Sequence, residues 1–154
     1  MAESLLFTTA RVTTFDGPRL LTGATGFFFT RSERLFLVTS RYVLQDIPSG
    51  HRPNRIELEF HTDPVDLRRT ATLSIWLFKN GISLWRQATD SGGEIDVGVI
   101  ELDKAELSSD AHICCFTTEH LQSELGEVEV GTGLLVVGFP LGFHDTMHHL
   151  PVVR

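Results

Sequence analysis

The sequence has few cysteines and no long apolar run. Its only two cysteines, Cys114 and Cys115, are adjacent, and neighbouring residues do not easily reach disulfide geometry. They also lack the CxxC spacing of redox motifs, so we predict that both are small apolar core residues. No apolar run approaches the ~18 residues of a membrane span. The start, MAESLLFTTARV, lacks the basic and apolar regions of a signal peptide, so we expect a cytoplasmic protein.

Clustered positive charge is also missing. The chain carries 13 basic and 20 acidic residues, a net charge of −7 over 154 residues. The basic residues are scattered, apart from the short run Leu67–Arg69. Binding to nucleic acid or to an anionic membrane needs clustered Lys and Arg that release counterions, so neither partner is expected.

What the sequence does contain is a series of short β-rich runs separated by turn residues. The run at 55–61 alternates strictly between apolar and polar residues, as in a half-buried antiparallel strand. Asn80-Gly81 is a favoured tight turn and predicts a hairpin over 71–87. Three glycines inside strand patterns, Gly26, Gly98 and Gly138, indicate sharp bends or close backbone approach. The other predicted strands are Leu5–Phe15, Leu20–Thr30, Arg34–Ser40, Ile95–Leu102 and Thr132–Pro140.

Helix is scarce, and only two short segments favour it. One covers Arg41–Gln45, and the other covers Thr117–Leu125, with Thr118 as a possible cap and Leu121 and Leu125 on one face. Six or more closely spaced strands with little helix predict an all-β barrel or sandwich.

The stretch TDSGGEIDVGVIELD, at 89–103, places Ser91 before two glycines. Asp-Ser-Gly-Gly is a local pattern that serine hydrolases often use to present a nucleophile. The same three residue types, Asp, Ser and Gly, are also those that turns prefer. The turn is the better interpretation, because no histidine is placed to serve Ser91.

Three landmarks arrive in an order that resembles the trypsin-like serine peptidases. The first combines Gly23–Phe27, a hairpin and the run Val38–Val43; the second is Asp96 opening the run to Ile100. The third is Gly133 followed by Leu135–Pro140. The resemblance covers about residues 20–142 and implies an antiparallel six-stranded Greek-key barrel with one or two short helices. It implies that 1–142 form the first of two barrels and that 143–154 begin the inter-barrel connection.

The resemblance assigns the triad acid to Asp96 and the base position to Tyr42, the only tyrosine in the chain. A phenol has a pKa near ~10 and is a poor base at neutral pH. It could instead donate a hydrogen bond to Asp96, or be a half-buried aromatic without a function. Asp96 lies among apolar neighbours, so we expect it to be partly buried, although an exposed strand-end aspartate is the alternative.

The family's nucleophile serine should follow the aspartate, but no serine follows Pro140. The resemblance therefore predicts a trypsin-like serine endopeptidase unit that is catalytically inactive as it stands. It implies that a second barrel completes the unit and that the substrate is a polypeptide. The alternative is a non-catalytic pseudopeptidase module that binds a protein partner. A third possibility is an unrelated β-barrel binding domain, which the absence of a hydrogen-bond approach between Tyr42 and Asp96 would favour.

No cofactor is expected, and the histidines near the C-terminus give only a weak sequence signal for a metal site. The stretch FHDTMHHL holds His144, His148 and His149 with Asp145, and His144 and His148 would share a face of a helix and could bind zinc. Gly142 and Pro151 favour a loop there instead. Because no distant ligand set is evident, the sequence predicts no metal site.

Overall fold

A computed structural model describes residues 3–124 and 126–154 and shows an all-β, antiparallel architecture. Among these residues no helix is long and apolar enough to cross a membrane. The strands are β1 (Thr9–Asp16), β2 (Arg19–Arg31), β3 (Arg34–Thr39), β4 (Arg55–His61), β5 (Thr70–Trp76), β6 (Phe78–Lys79), β7 (Ile82–Ser83), β8 (Trp85–Asp90), β9 (Gly93–Leu102), β10 (Val137–Gly138) and β11 (Val152–Val153). One α-helical turn, α1 (Arg41–Leu44), and 3-10 turns at Ser4–Phe7, Lys104–Glu106, Thr118–His120 and Pro140–Gly142 complete the structure.

Seven strands form one antiparallel sheet in the order β5-β4-β1-β2-β3-β9-β8. This is one strand more than the six that the family resemblance implies. The strands from β1 to β3 form a meander, and β9 returns from later in the chain to pair with β3, Leu37 lying opposite Ile100. The remaining short strands make two separate pairs, β6 with β7 and β10 with β11.

One face of the sheet forms the core. Because side chains alternate along a strand, every second residue of β1, β3 and β4 is buried. The cluster includes Leu73 from one edge strand and Trp85 from the other. Both edges of the sheet therefore pack on the same core. The largest fully buried apolar side chains are Phe28, Leu37, Leu44, Ile56, Leu58, Leu77 and Ile100.

The β6–β7 hairpin joins the two edge strands. Asn80 and Gly81 both have positive φ, 51° and 75°, as a tight primed turn requires. At the base of the hairpin the Leu84 N–H donates to the Leu77 carbonyl, at 2.9 Å. The predicted hairpin over 71–87 is thus confirmed at its tip, while β5 and β8 belong to opposite edges of the large sheet.

Two predicted strands differ from the structure. Residues 4–7 form a 3-10 turn that precedes β1. In the run Thr132–Pro140 only Val137 and Gly138 are in a strand, paired with β11, and Val136 exchanges backbone hydrogen bonds with Arg154 just beyond it. Residues 134–136 are exposed. An apolar run becomes a strand only where a partner strand satisfies its backbone.

The predicted helices are short. Arg41–Leu44 is confirmed as α1. The second helix is a single 3-10 turn that is capped by Thr117, and not by Thr118 as predicted. Leu121 lies beyond its end and is exposed, while Leu125 lies outside the described residues.

The C-terminal segment packs against β2 through two glycines. A Cβ placed on Gly23 would lie 2.6 Å from the Cα of Gly142, whose φ of +75° also favours glycine. The Thr25 hydroxyl accepts a 2.7 Å hydrogen bond from the Phe139 N–H. These contacts fix the path of the segment that carries His144, His148 and His149.

Candidate functional site

The start of α1 and the strand β9 meet beside Gly98. Register pairing places Thr39, at the end of β3, opposite Gly98. A Cβ on Gly98 would lie 2.6 Å from Leu44 Cδ1, so α1 packs where β9 has no side chain. This confirms the close approach predicted for Gly98. It also brings Ser40 next to Asp96, together with Tyr42; Tyr42 and Asp96 are the two positions that the sequence analysis singled out.

Asp96 Oδ1 accepts hydrogen bonds from two groups at the start of α1. The Ser40 hydroxyl donates to it at 2.7 Å, and the backbone N–H of Tyr42 donates to it at 3.4 Å. Ser40 Oγ also accepts from the Tyr42 N–H at 3.3 Å, as an N-cap serine does. Position 42 and Asp96 therefore contact each other across 54 residues of sequence, through the backbone of Tyr42.

The Tyr42 side chain does not complete the expected phenol–carboxylate bond. The Arg41 guanidinium lies 4.3 Å from the centre of the tyrosine ring, a cation–π contact. Arg41 also pairs with Glu94 at 3.4 Å. The ring is half exposed (50%), and within 3–124 and 126–154 the phenol hydroxyl makes no hydrogen bond. Stacking on Arg41 thus holds the tyrosine ring. The Asp96 carboxylate receives its hydrogen bonds from the Ser40 hydroxyl and the Tyr42 backbone N–H, and none from the phenol.

Asp96 is exposed, which corrects the expectation of partial burial. Its neighbour Val97 is also 41% exposed, so the apolar flanks in the sequence do not cover the carboxylate. The first part of β9 and most of β8 form the exposed end of a hairpin. The carboxylate keeps one hydrogen-bonded oxygen and remains open to water, so it can stabilise a cation placed beside it.

Ser91 lies in the turn between β8 and β9, as predicted. Asp90 pairs with Gly93 across the turn, and the Asp90 side chain accepts from the Gly92 N–H at 2.7 Å. Gly93 has a φ of +114°, which side-chain-bearing residues rarely adopt. In the part of the chain that the structure describes, no histidine bonds to Ser91. The Asp-Ser-Gly-Gly pattern is therefore a turn, without a base for the serine.

The two cysteines behave as packing residues. Both are free and half-buried, and Cys115 packs against the core cluster. Burial raises the pKa of the Cys115 thiol, and the neighbouring Cys114 adds to this. A raised pKa leaves less of the reactive thiolate at neutral pH. The predicted core role holds in part: Cys115 packs against the core, whereas neither cysteine is fully buried.

Sequence reasoning missed two residues, Ser40 and Glu59. Ser40 carries a signal that could have found it, because a serine directly before a helical turn is a favoured N-cap. Glu59 carries none, since it approaches His149 only after folding, across 90 residues.

Comparison with known proteins yields no match to a family model, to a curated protein or to a solved structure.

The role of Ser40 gives a first prediction. We expect Ser40→Ala to lower the free energy of unfolding by about 1 kcal/mol, because it removes both the cap of α1 and a donor to Asp96. The matched control is Ser91→Ala, which changes only an exposed turn residue and should shift stability by less than about 0.5 kcal/mol. Urea unfolding measures both. Equal effects of the two substitutions would contradict the role given to Ser40.

Proposed function

We propose that this chain is the first-barrel unit of a trypsin-like serine endopeptidase and is catalytically silent as it stands. One observation carries the proposal. The residues at the two triad positions implied by the sequence landmarks, Tyr42 and Asp96, meet within hydrogen-bond distance at 3.4 Å. The contact is made by the backbone N–H of Tyr42, so it supports the equivalence of the two positions and not a role for the phenol.

The arrangement of the sheet supports a closed Greek-key barrel as part of this proposal. The edge strands β5 and β8 contribute Leu73 and Trp85 to one core. The hydrogen bond between Leu84 and Leu77 ties the segments that follow β5 and precede β8. A sheet whose edges share a core and a connecting hairpin approaches closure, which also protects its edges.

The expected lack of catalytic activity follows from two departures from the family pattern. At the base position a tyrosine is held against Arg41, 4.3 Å from the guanidinium, and a protonated phenol is a poor base. Residues 140–154, which follow the last family landmark, contain no serine. We therefore expect neither peptide hydrolysis nor labelling by a serine-directed fluorophosphonate. Stoichiometric labelling would contradict this part of the proposal.

The base position can be tested directly with Tyr42→His. If the position is that of a triad base, the introduced imidazole should have a higher pKa with Asp96 than with asparagine at position 96. Asp96 stabilises the imidazolium, whereas the nearby Arg41 guanidinium lowers the imidazole pKa in both variants. NMR titration of the ring protons measures this value. The matched variant is Tyr42→His combined with Asp96→Asn, in which the imidazole pKa should fall.

An imidazole whose pKa is the same with Asp96 and with asparagine would overturn the assignment. Such a result would mean that the ring at position 42 does not face the carboxylate. The titration requires no activity, so the missing serine does not affect it.

A non-catalytic module that binds a protein partner is the second candidate. An apolar groove on the outer face of β2, β3 and β9 favours it, lined by Phe27, Phe29, Phe36, Val38 and Val99. Uncovered apolar grooves of this kind mark interaction surfaces. A strictly monomeric chain that binds no apolar dye would contradict this candidate.

A further inference from the structure

A second cluster of polar side chains lies on the outer face of β1 and β4, away from the Asp96 cluster in the sheet. Arg11 and Glu59 are directly opposite each other in the β1–β4 register. Arg11 Nη2 donates to Glu59 Oε2 at 3.0 Å. The other carboxylate oxygen, Oε1, lies 3.2 Å from Nδ1 of His149. Glu59 therefore has one oxygen engaged by arginine and one directed at the C-terminal segment.

Two histidines of that segment stand together over Glu59. The rings of His144 and His149 are stacked, with their centres 5.6 Å apart. His144 Nδ1 lies 3.1 Å from the carbonyl oxygen of Gly142, to which it can donate. A Nδ1–H bonded to a carbonyl fixes the tautomer and leaves the Nε2 lone pair free for a ligand, as in many metal-binding histidines.

The backbone around His149 is strained, and its loop is fixed by other contacts. His149 has a φ of +56°, which non-glycine residues seldom adopt, and its N–H donates to the Asp145 carbonyl at 2.8 Å. The Asp145 carboxylate accepts from the N–H groups of Met147 and His148, each at 3.0 Å. His61, in β4, bonds through Nε2 to the His148 carbonyl at 2.7 Å. These bonds hold the histidines over Glu59.

We propose that Glu59, His144 and His149 form a binding site for a divalent transition-metal ion, with Zn²⁺ as the best match. One ligand atom from each residue lies within 4.8 Å of the others. Two imidazole nitrogens and one carboxylate oxygen are a ligand set that zinc accepts. Two ligands at ~2.0–2.1 Å from a tetrahedral ion are separated by roughly 3.3 Å, close to the 3.2 Å between His149 and Glu59.

The chemistry of the site follows from its ligand count and exposure. Three protein ligands leave the fourth tetrahedral position open to water or to a small anion. The Glu59 and His149 side chains are 18% and 23% exposed, so an ion can enter from solvent. Arg11 acts as a positioning residue that orients the Glu59 carboxylate. The site uses none of the residues of the Asp96 cluster, so its test is independent of the proposed peptidase relationship.

Calorimetric titration of the chelator-treated chain with ZnCl₂ tests the site. We expect saturable binding of one Zn²⁺ per chain, weakened at least about tenfold by His144→Gln, by Glu59→Gln or by His149→Asn. Asparagine is chosen at position 149 because it tolerates positive φ. The matched control is His120→Gln, an exposed histidine of the 3-10 turn Thr118–His120 outside the loop, and this variant should bind Zn²⁺ like the parent chain.

The result that overturns the proposal is an absence of saturable binding, or binding that survives His144→Gln and His149→Asn unchanged. Circular dichroism confirms that each variant is folded. If a ligand variant does not fold, two measurements on the parent chain decide. Zn²⁺ should raise its thermal midpoint, and Co²⁺ should give the visible absorption of a tetrahedral site. If neither the thermal shift nor the Co²⁺ absorption is observed, the proposed metal site is wrong.

Discussion

Leu44→Ala is expected to lower the free energy of unfolding by about 2–5 kcal/mol, the range for large-to-small changes at fully buried sites. Leu44 has no exposed surface and is the only buried residue of α1. It fills the space over Gly98, where a Cβ would lie 2.6 Å from Leu44 Cδ1. Its loss leaves a cavity and frees the helical turn that carries Ser40 and Tyr42 to Asp96.

Chemical denaturation measures this loss, and Leu20→Ala supplies the control. Leu20 is the same residue type but is 62% exposed, so its truncation should cost less than about 0.5 kcal/mol. Hydrogen exchange of the Tyr42 amide should also accelerate in Leu44→Ala, because that N–H is held by the packed turn. Equal destabilisation by the two leucine substitutions would contradict the anchoring role of Leu44.

Gly23→Ala is expected to destabilise the chain by about 1–3 kcal/mol, as overpacking does. The new methyl would lie 2.6 Å from the Cα of Gly142. A backbone atom cannot rotate away as a side chain can, so β2 and the C-terminal segment must separate. Thermal unfolding measures the effect.

Gly133→Ala is the matched control for this substitution. A Cβ at Gly133 would meet nothing within 4 Å, and Gly133 has no positive φ. It should therefore be neutral or slightly stabilising, because alanine restricts the unfolded chain. If Gly133→Ala costs as much as Gly23→Ala, the close approach to Gly142 does not explain the effect.

The fold was predictable where one local pattern was sufficient. The strand Arg55–His61 has the predicted bounds because its strict alternation specifies both the strand and its buried face. The Asn80-Gly81 turn was predictable because few residue types accept positive φ at both positions. The run from Thr132 was not, because its apolar residues resemble a strand while most of them have no strand partner.

The site was predictable only in part, since it depends on tertiary neighbours. The landmarks led to Tyr42 and Asp96, and the structure brings their backbone and side chain together. The exposure of Asp96 could not be predicted, because apolar neighbours along a strand do not reveal what covers the carboxylate. Nor could the approach of Glu59 to His144 and His149, which needs the path that Gly23 and Gly142 give to the C-terminal segment.

The strand order also has a consequence for the time course of folding. The meander from β1 to β3 needs only short loop closures, whereas pairing Leu37 with Ile100 must first close a loop of about sixty residues. Non-local pairings of this kind slow folding. We therefore expect the meander to form early and β9 to dock late, so that Asp96 reaches Ser40 among the last events of folding.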